Sequence, residues 1–427
     1  MKVLVHAGGS ARSFSVQTRL YSVVADLAAV LGPYLEAADI LVKDAHALDA
    51  AAAADRRLRL IDAASLEGLD PRLWLDHHDL AAVSLSNEGQ DDEQSSAVWS
   101  VLRTIEAAYW RRMKIVTYVD RYGSLNSAQE WLVARALKHV DLVLVSSPAT
   151  VKKLKVLGVT NELFCTASGI LLQRPPSEPL RRAVADRWRI DPAQHPIVVV
   201  CPREMFSTEP PVWTAVTQFT NRFVPSRVAP EDGKESRQRF IAQMAGYSDY
   251  LVKRHGAQVV FAAMKRPDQP ITRAIQETMT ERAHSRLISG ADAALDELSS
   301  LLAVAALQVT ARPTSLLLGS PFGVPPIALG DNPALEEMMR EAGLTDYYLD
   351  YATPGFAMPN LFALDEALQE RTERAFAHGE ELREAVLKSH GSSAKRARQN
   401  RMLLGEWLID TFFEGQAVLS QRLSIPA

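Results

Sequence analysis

Short runs of β-branched and other apolar residues alternate with longer segments of helical period along most of this chain, and that alternation restricts it to a parallel-sheet architecture. Parallel strands need crossover connections, so each strand–helix–strand repeat reads as a βαβ unit. Strands are expected at residues 2–5, 40–42, 58–61, 81–85, 115–119, 142–145 and 162–166, with helices at 16–31, 96–112, 128–138 and 149–157. A second series places strands at 196–200, 259–263, 287–288, 307–310 and 326–329, with helices at 240–254, 271–284, 295–306, 316–320 and 334–342. Residues 173–178 separate the two series; they carry Arg-Pro-Pro-Ser-Glu, whose prolines disfavour helix and suit a linker. The expected fold class is therefore α/β with two Rossmann-like lobes, residues 1–178 and 179–360. A helical tail follows over 361–427; its apolar Trp407, Leu408, Phe412 and Phe413 need cover, and the segment is expected to cross back onto the first lobe.

A length of 427 residues suits two to three domains. With 47% hydrophobic and 23% charged residues, the chain lies outside the disordered class. Its 47 basic and 51 acidic residues leave a net charge of −4, which argues against a nucleic-acid partner. Two cysteines, Cys165 and Cys201, exclude a disulfide framework and a four-thiolate zinc site. The first residues, Met-Lys-Val-Leu-Val-His-Ala-Gly-Gly, lack the apolar core of a signal peptide, and no run of about 18 apolar residues occurs. The expected location is cytoplasmic, with contact at the inner membrane face as one option for the basic run Lys395, Arg396, Arg398 and Arg401; the other is a solvated helix face. The polar, proline-bearing stretch 207–236 reads as a long loop of the kind that serves as a lid.

Ligands of open α/β sheets bind beyond the carboxyl ends of strands, which selects a few loops. After the first strand, Gly8, Gly9, Ser10 and Arg12 form a glycine-led turn that could approach an anion, or merely a strand–helix turn; it matches neither the Rossmann fingerprint nor the P-loop. Asp120 and Arg121 follow the strand at 115–119, where they could bind a hydroxyl and a carboxylate or could cap a turn. In the second half, Arg203 lies just past one strand and Arg312 just past another. A helix with Thr314 and Ser315 at its start follows Arg312, so the two arginine forks and the helix end would suit an anionic donor. The alternative is a pair of separate structural salt bridges. Trp74-Leu75-Asp76-His77-His78-Asp79 lacks metal-site spacing and reads as a polar turn; no metal and no resident cofactor are expected.

The segment His139–Val159 (HVDLVLVSSPATVKKLKVLGV), the stretch Leu307-Gln308-Val309-Thr310-Ala311-Arg312 and the later Gly323-Val324-Pro325-Pro326-Ile327-Ala328-Leu329 together resemble the polysaccharide pyruvyl transferase family over roughly 141–350. That resemblance implies a GT-B-like fold and transfer of a pyruvyl group from phosphoenolpyruvate to a sugar of a cell-surface glycan or glycolipid precursor. It also implies a donor clamp of Arg203 and Arg312, to which Ser315 is added by position; Gly8, Gly9, Ser10, Arg12, Asp120 and Arg121, at strand ends of the first lobe, are expected to hold the acceptor. Thr314 stands where the family has its histidine, so either another group, Asp331 or His6, would be the general acid or the reaction differs. Arg312, Thr314 and Asp331 are the expected catalytic set. Two other readings are a GT-B glycosyltransferase using a nucleotide-sugar donor and a non-catalytic relative. Acceptor sugar and oligomeric state are not specified by these residues.

Overall fold

The structure is a computed structural model that describes residues 1–48, 55–63, 75, 77–87, 92–122, 127–204, 230–330, 332–350 and 363–413. It divides into two compact units. The first comprises Met1–Gln173 together with Gly391–Ala427, and the second Arg174–His390. The first segment of the first unit stops at Gln173, where the proline-bearing stretch begins.

In the first unit, seven parallel strands lie in the order β3-β2-β1-β4-β5-β6-β7. They are β1 (Lys2–Ser10), β2 (Ala37–Lys43), β3 (Leu58–Asp62), β4 (Leu80–Asn87), β5 (Lys114–Tyr122), β6 (Leu142–Val145) and β7 (Leu163–Cys165). Alternate residues of a strand face opposite sides, and here both sides are covered, so the strands are apolar on both faces. Leu80 and Ala82 of β4 and Val116 of β5 pack with α1 (Phe14–Leu31), whereas Ala81, Val83 and Leu85 pack with the opposite layer. That layer consists of α2 (Asp92–Trp110), α3 (Ser127–Leu137) and α4 (Pro148–Val156). Ser147 caps α4, its Oγ accepting from the Thr150 N–H at 3.1 Å, and Pro148 supplies a preset first turn.

The second unit repeats the plan with β8 (Ile197–Cys201), β9 (Gln258–Ala263), β10 (Ser285–Ser289), β11 (Ala305–Thr310), β12 (Pro326–Leu329) and β13 (Tyr348–Leu349), all parallel, in the order β10-β9-β8-β11-β12-β13. Both sheets thus reverse direction beside their first strand: between β1 and β4, and between β8 and β11. The helices of this unit are α5 (Glu178–Trp188), α6 (Pro230–His255), α7 (Gln269–Thr278), α8 (Leu295–Leu302), α9 (Pro313–Gly319), α10 (Pro333–Glu341) and α11 (Leu364–Ala377). Val198, Val200, Phe261 and Val309 pack with Phe240, Met244, Ile271 and Leu335 to build its core.

Three local outcomes depart from the periodicity. The helix expected over 271–284 stops at Thr278, because the Asp249 carboxylate accepts the backbone N–H groups of Thr280 (2.9 Å) and Glu281 (2.8 Å) and draws them out of the helical ladder. The helix expected over 295–306 ends at Leu302, since Ala305 and Leu307 pair with Ile197 and Val198 of β8. The stretch expected as a lid lies outside the described residues up to 229, and Pro230 already opens α6.

The tail forms α12 (Gly379–Phe412), which belongs to the second unit up to His390 and to the first from Gly391 onward. In the first unit Leu404 and Leu408 join the α1 side of the core, a burial of about 1.5–3 kcal/mol for each side chain. Arg401 of the basic run is committed there: its Nε donates to Asp26 on α1 at 3.0 Å, while Lys395 and Arg398 remain exposed. No helix among the described residues is long and apolar enough to cross a membrane.

Candidate functional site

In the first unit, Gly8 and Gly9 form a tight turn-like irregularity within the carboxyl end of β1, where its register with β2 shifts and the strand order reverses. Gly8 and Gly9 both have positive φ (60° and 84°), and a Cβ on Gly8 would sit 2.6 Å from the Ala97 carbonyl of α2. The buried Arg19 guanidinium donates to the Ala7 and Gly8 carbonyls at 3.0 and 3.2 Å. The turn therefore serves close packing of strand on helix. Ser10 Oγ donates to Asp44 Oδ2 at 2.6 Å, and Arg12 Nη2 lies 2.9 Å from His46 Nε2, so these two side chains are tied to the end of β2.

His6, one of the expected acids, is buried inside β1. Its Nδ1 lies 2.8 Å from Thr104 Oγ1 and its Nε2 3.3 Å from Ser100 Oγ. The Thr104 hydroxyl already donates to the Ser100 carbonyl, so His6 Nδ1–H is the donor and Nε2 the acceptor of a neutral ring. Burial, aided by the nearby Arg19 charge, pushes the imidazole down to about 4. A ring that stays neutral and internally bonded cannot serve as a general acid near neutrality.

Beyond the carboxyl ends of β4, β5 and β6 a small cavity opens, with room for about one water-sized group. It is lined by Ser84, Tyr118, Asp120, Ser146, Thr166 and Ser168, with Arg19 and Ser22 from α1 and Asn400 from α12. Tyr118 Oη, Ser146 Oγ and Asn400 Oδ1, all at its lining, are buried with no hydrogen-bond partner among the described residues. Asn400 Nδ2 is held by the Ala167 carbonyl at 2.9 Å, which fixes the amide and directs its oxygen elsewhere. Behind this wall, Asp26 is out of solvent; burial outweighs the hydrogen bond from Arg401 and pushes its carboxyl up to about 6. Gly169 lets this wall close, because a Cβ there would lie 3.1 Å from Asp26 Oδ2. Buried hydroxyls without partners cost free energy unless something bonds to them, and a single water or one hydroxyl group fills the space they face. Asp120 lines it half-buried; the Arg121 side chain is outside the described residues.

In the second unit the corresponding reversal lies between β8 and β11. Arg312, just past β11, is fully buried, its Nε donating to Asp268 Oδ2 at 2.9 Å and its Nη2 to Oδ1. Asp268 also accepts the backbone N–H groups of Glu204 (3.1 Å) and Lys265 (3.2 Å). One carboxylate thereby joins the loops after β8, β9 and β11. Ser315 is fully buried, with Oγ 3.1 Å from Cys201 Sγ and 3.5 Å from Gln308 Oε1, so it belongs to the core behind the strand ends. Burial pushes the Cys201 thiol up to about 12, which leaves it inert. Thr314 is buried beside it, Arg203 is half-buried after β8, and Asp331 lies outside the described residues. Two nitrogens of the Arg312 fork, Nε and Nη2, are engaged by Asp268.

His78 Nε2 lies 3.0 Å from Asp39, which also receives Arg59. Among the described residues no group of three His, Cys, Asp or Glu side chains is placed to hold a metal ion. Asp268, Tyr118, Ser146 and Asn400 are not among the expected site residues. Asp268 had a local signal, an acid just past a strand and before a helix; Asn400 had none.

No family model and no curated protein matches this sequence. Solved structures do match its coordinates. The UDP-GlcNAc 2-epimerase of Neisseria meningitidis, bound to UDP-GlcNAc, aligns with a TM-score of 0.60 at 10% identity, covering 96% of this chain and 100% of that one. The UDP-GlcNAc 2-epimerase of Methanocaldococcus jannaschii, in complex with UDP-GlcNAc and UDP, aligns at 0.55 with 12% identity over 86% and 92% of the two chains. MnaA of S. aureus with UDP gives 0.57 at 11% identity over 91% of each. The fold is GT-B-like, with two Rossmann-like lobes. At such identities the likeness establishes architecture. It also overturns the pyruvyl transferase resemblance, since these neighbours are UDP-GlcNAc 2-epimerases. The matched segments are strand-to-helix modules: His139–Val159 spans β6 and α4, and the stretch to Leu329 spans β11, α9 and β12. Any Rossmann-like lobe supplies such modules, and so the pattern reported the fold.

Proposed function

We propose that this chain is an enzyme that binds a nucleoside-diphosphate sugar, with UDP as its nucleotide, and that the hydroxyl-lined cavity of the first unit takes a hydroxyl-bearing group of substrate or acceptor. The observation that carries the reading is the cavity beyond β4–β6, where Tyr118 Oη, Ser146 Oγ and Asn400 Oδ1 are buried without partners among the described residues. Support for the nucleotide comes from the neighbours of the same fold, which were solved with UDP or UDP-GlcNAc. In the second unit the sheet reverses between β8 and β11, the place where doubly wound sheets receive ligands. Half-buried Arg203 lies at that reversal and is the candidate for the diphosphate charge. Arg312 and Asp268 act there by holding the three strand-end loops in place. Glycosyl transfer needs no resident metal when cations and oriented backbone dipoles stabilise the leaving diphosphate.

The test is thermal unfolding with UDP, GDP, UDP-GlcNAc and phosphoenolpyruvate added separately. A nucleotide at one hundred times its dissociation constant adds about 2.7 kcal/mol to stability. Stabilisation by UDP and UDP-GlcNAc is expected. A protein indifferent to every nucleotide would overturn the reading. Product analysis of UDP-GlcNAc, with and without sugar acceptors, then separates transfer from epimerisation.

A further inference from the structure

Large apolar side chains exposed to water are few among the described residues, and half of them gather on one layer of the first unit. Trp110 is 74% exposed, Trp131 59% and Tyr109 45%, and Val156 is 80% exposed. They belong to α2, α3 and α4, whose inner sides fill the core against β4, β5 and β6. The outer sides are linked side chain to side chain. Tyr109 packs on Trp110 with ring centroids 5.8 Å apart and on His139 at 3.9 Å. Trp131 and Arg135 recur at helical spacing along α3, Lys138 follows just past its end, and the Arg135 guanidinium lies 5.5 Å over the Trp131 ring. Lys153 of α4 reaches Glu130 of α3 at 3.0 Å, which joins the third helix to the same layer.

Basic groups predominate on this face; its acids outside α3 are exposed Glu106 of α2 and Asp141, which Lys114 meets at 3.2 Å. Arg111, Arg112, Arg135, Lys138, Lys152 and Lys155 are exposed, and Glu130, the acid of α3, is already matched by Lys153. The chain as a whole is net acidic at −4, so the basic face is a local departure. Tryptophan and tyrosine at the surface, rimmed by Arg and Lys, have the composition of a lipid–water interface, where amphipathic rings sit at headgroup depth and cations meet phosphates. A second copy of this face would bring the same arginines and lysines together across a two-fold axis, which disfavours self-pairing.

We propose that the outer face of α2, α3 and α4 docks on an anionic lipid bilayer, with Trp110 and Trp131 entering the headgroup region and Arg112, Arg135 and Lys138 contacting lipid phosphates. The enzyme would then be a peripheral one, held by two weak terms together: shallow apolar insertion and charge.

The experiment is co-sedimentation of the full chain with vesicles of phosphatidylcholine alone and of phosphatidylcholine mixed with phosphatidylserine. Wild type is expected to pellet with the mixed vesicles and to be released by salt. The Arg112→Gln/Lys138→Gln variant removes two surface charges and should bind about 30-fold more weakly. Trp110→Ser/Trp131→Ser should lose binding while circular dichroism and thermal unfolding stay as in wild type, because both rings are exposed. Wild type that stays in the supernatant with mixed vesicles overturns the proposal, as do variants that bind like wild type. A wild-type dimer that these variants convert to monomer would make the face a contact between copies, and would overturn it too.

Discussion

Arg312 and Asp268 form a doubly hydrogen-bonded ion pair with both side chains out of solvent, Nε to Oδ2 at 2.9 Å and Nη2 to Oδ1. Charges withdrawn from water are stable only when each is matched, and here the carboxylate is matched by a planar fork and by the N–H groups of Glu204 and Lys265. The pair sets where the loops after β8, β9 and β11 begin, and through them the shape of the second unit's carboxyl edge.

Removing one partner leaves the other charge stranded. Asp268→Ala should therefore lower stability by about 3–5 kcal/mol, read from urea denaturation midpoints. Asp268→Ala/Arg312→Leu should recover part of that loss, because the double variant buries no unmatched charge. A single variant as stable as wild type would show that the pair does not hold these loops.

Tyr118→Phe and Ser146→Ala remove hydroxyls that have no partner among the described residues. Each should leave chemical stability within about 0.5 kcal/mol of wild type. If the cavity takes a hydroxyl-bearing ligand, each variant should bind it about three- to tenfold more weakly, the worth of one hydrogen bond. Calorimetric titration with UDP-GlcNAc reads the second effect; a large stability loss with unchanged binding would make the hydroxyls purely structural.

Two buried groups give opposite pH dependences. Asp26 rises from 3.8 to about 6 in the folded state, so its contribution is fully present below pH 4 and is lost as pH climbs through 6. The stability difference between wild type and Asp26→Asn should fall across that window by on the order of 3 kcal/mol. His6 drops from 6.5 to about 4, so its contribution is present above pH 6.5 and is lost on acidification through 4. The difference between wild type and His6→Gln should therefore shrink toward low pH. Denaturation curves at several pH values for both variants check the two signs separately.

Gly8 and Gly319 are both crowded, but by different neighbours. A Cβ at Gly8 meets the Ala97 backbone carbonyl at 2.6 Å on a left-handed residue, and Gly8→Ala should cost about 2 kcal/mol or more with no side-chain change able to relieve it. At Gly319 the Cβ would meet the Gln308 side chain at 2.7 Å. Gly319→Ala should thus be rescued in part by Gln308→Ala, and thermal unfolding of the single and double variants decides it.

The alternation of strand and helix was readable because periods of two and 3.6 residues are local properties of a chain. It placed β1, β6, β8 and β9 within a few residues of where they lie, and it put Arg203 and Arg312 at strand ends. It failed at 279–284, where the competing acceptor is Asp249, some thirty positions earlier. It also misled through the His139–Val159 segment, because a strand followed by a capped helix carries the same residues whatever the lobe binds.

The sequence by itself determined two series of βαβ repeats, the linker between them and a tail that must find cover. Each of these follows from apolar spacing and proline placement within a short stretch of chain. Only the tertiary structure decided that Arg312 spends its fork on Asp268 and that His6 is neutral. The same holds for Asn400, which meets the carbonyl of Ala167 at the wall of a cavity lined with hydroxyls. The physical reason is that burial and hydrogen-bond pairing are set by residues far apart in sequence: a polar side chain shows its chemistry in the sequence, but which atom it faces is settled when the strands and helices pack.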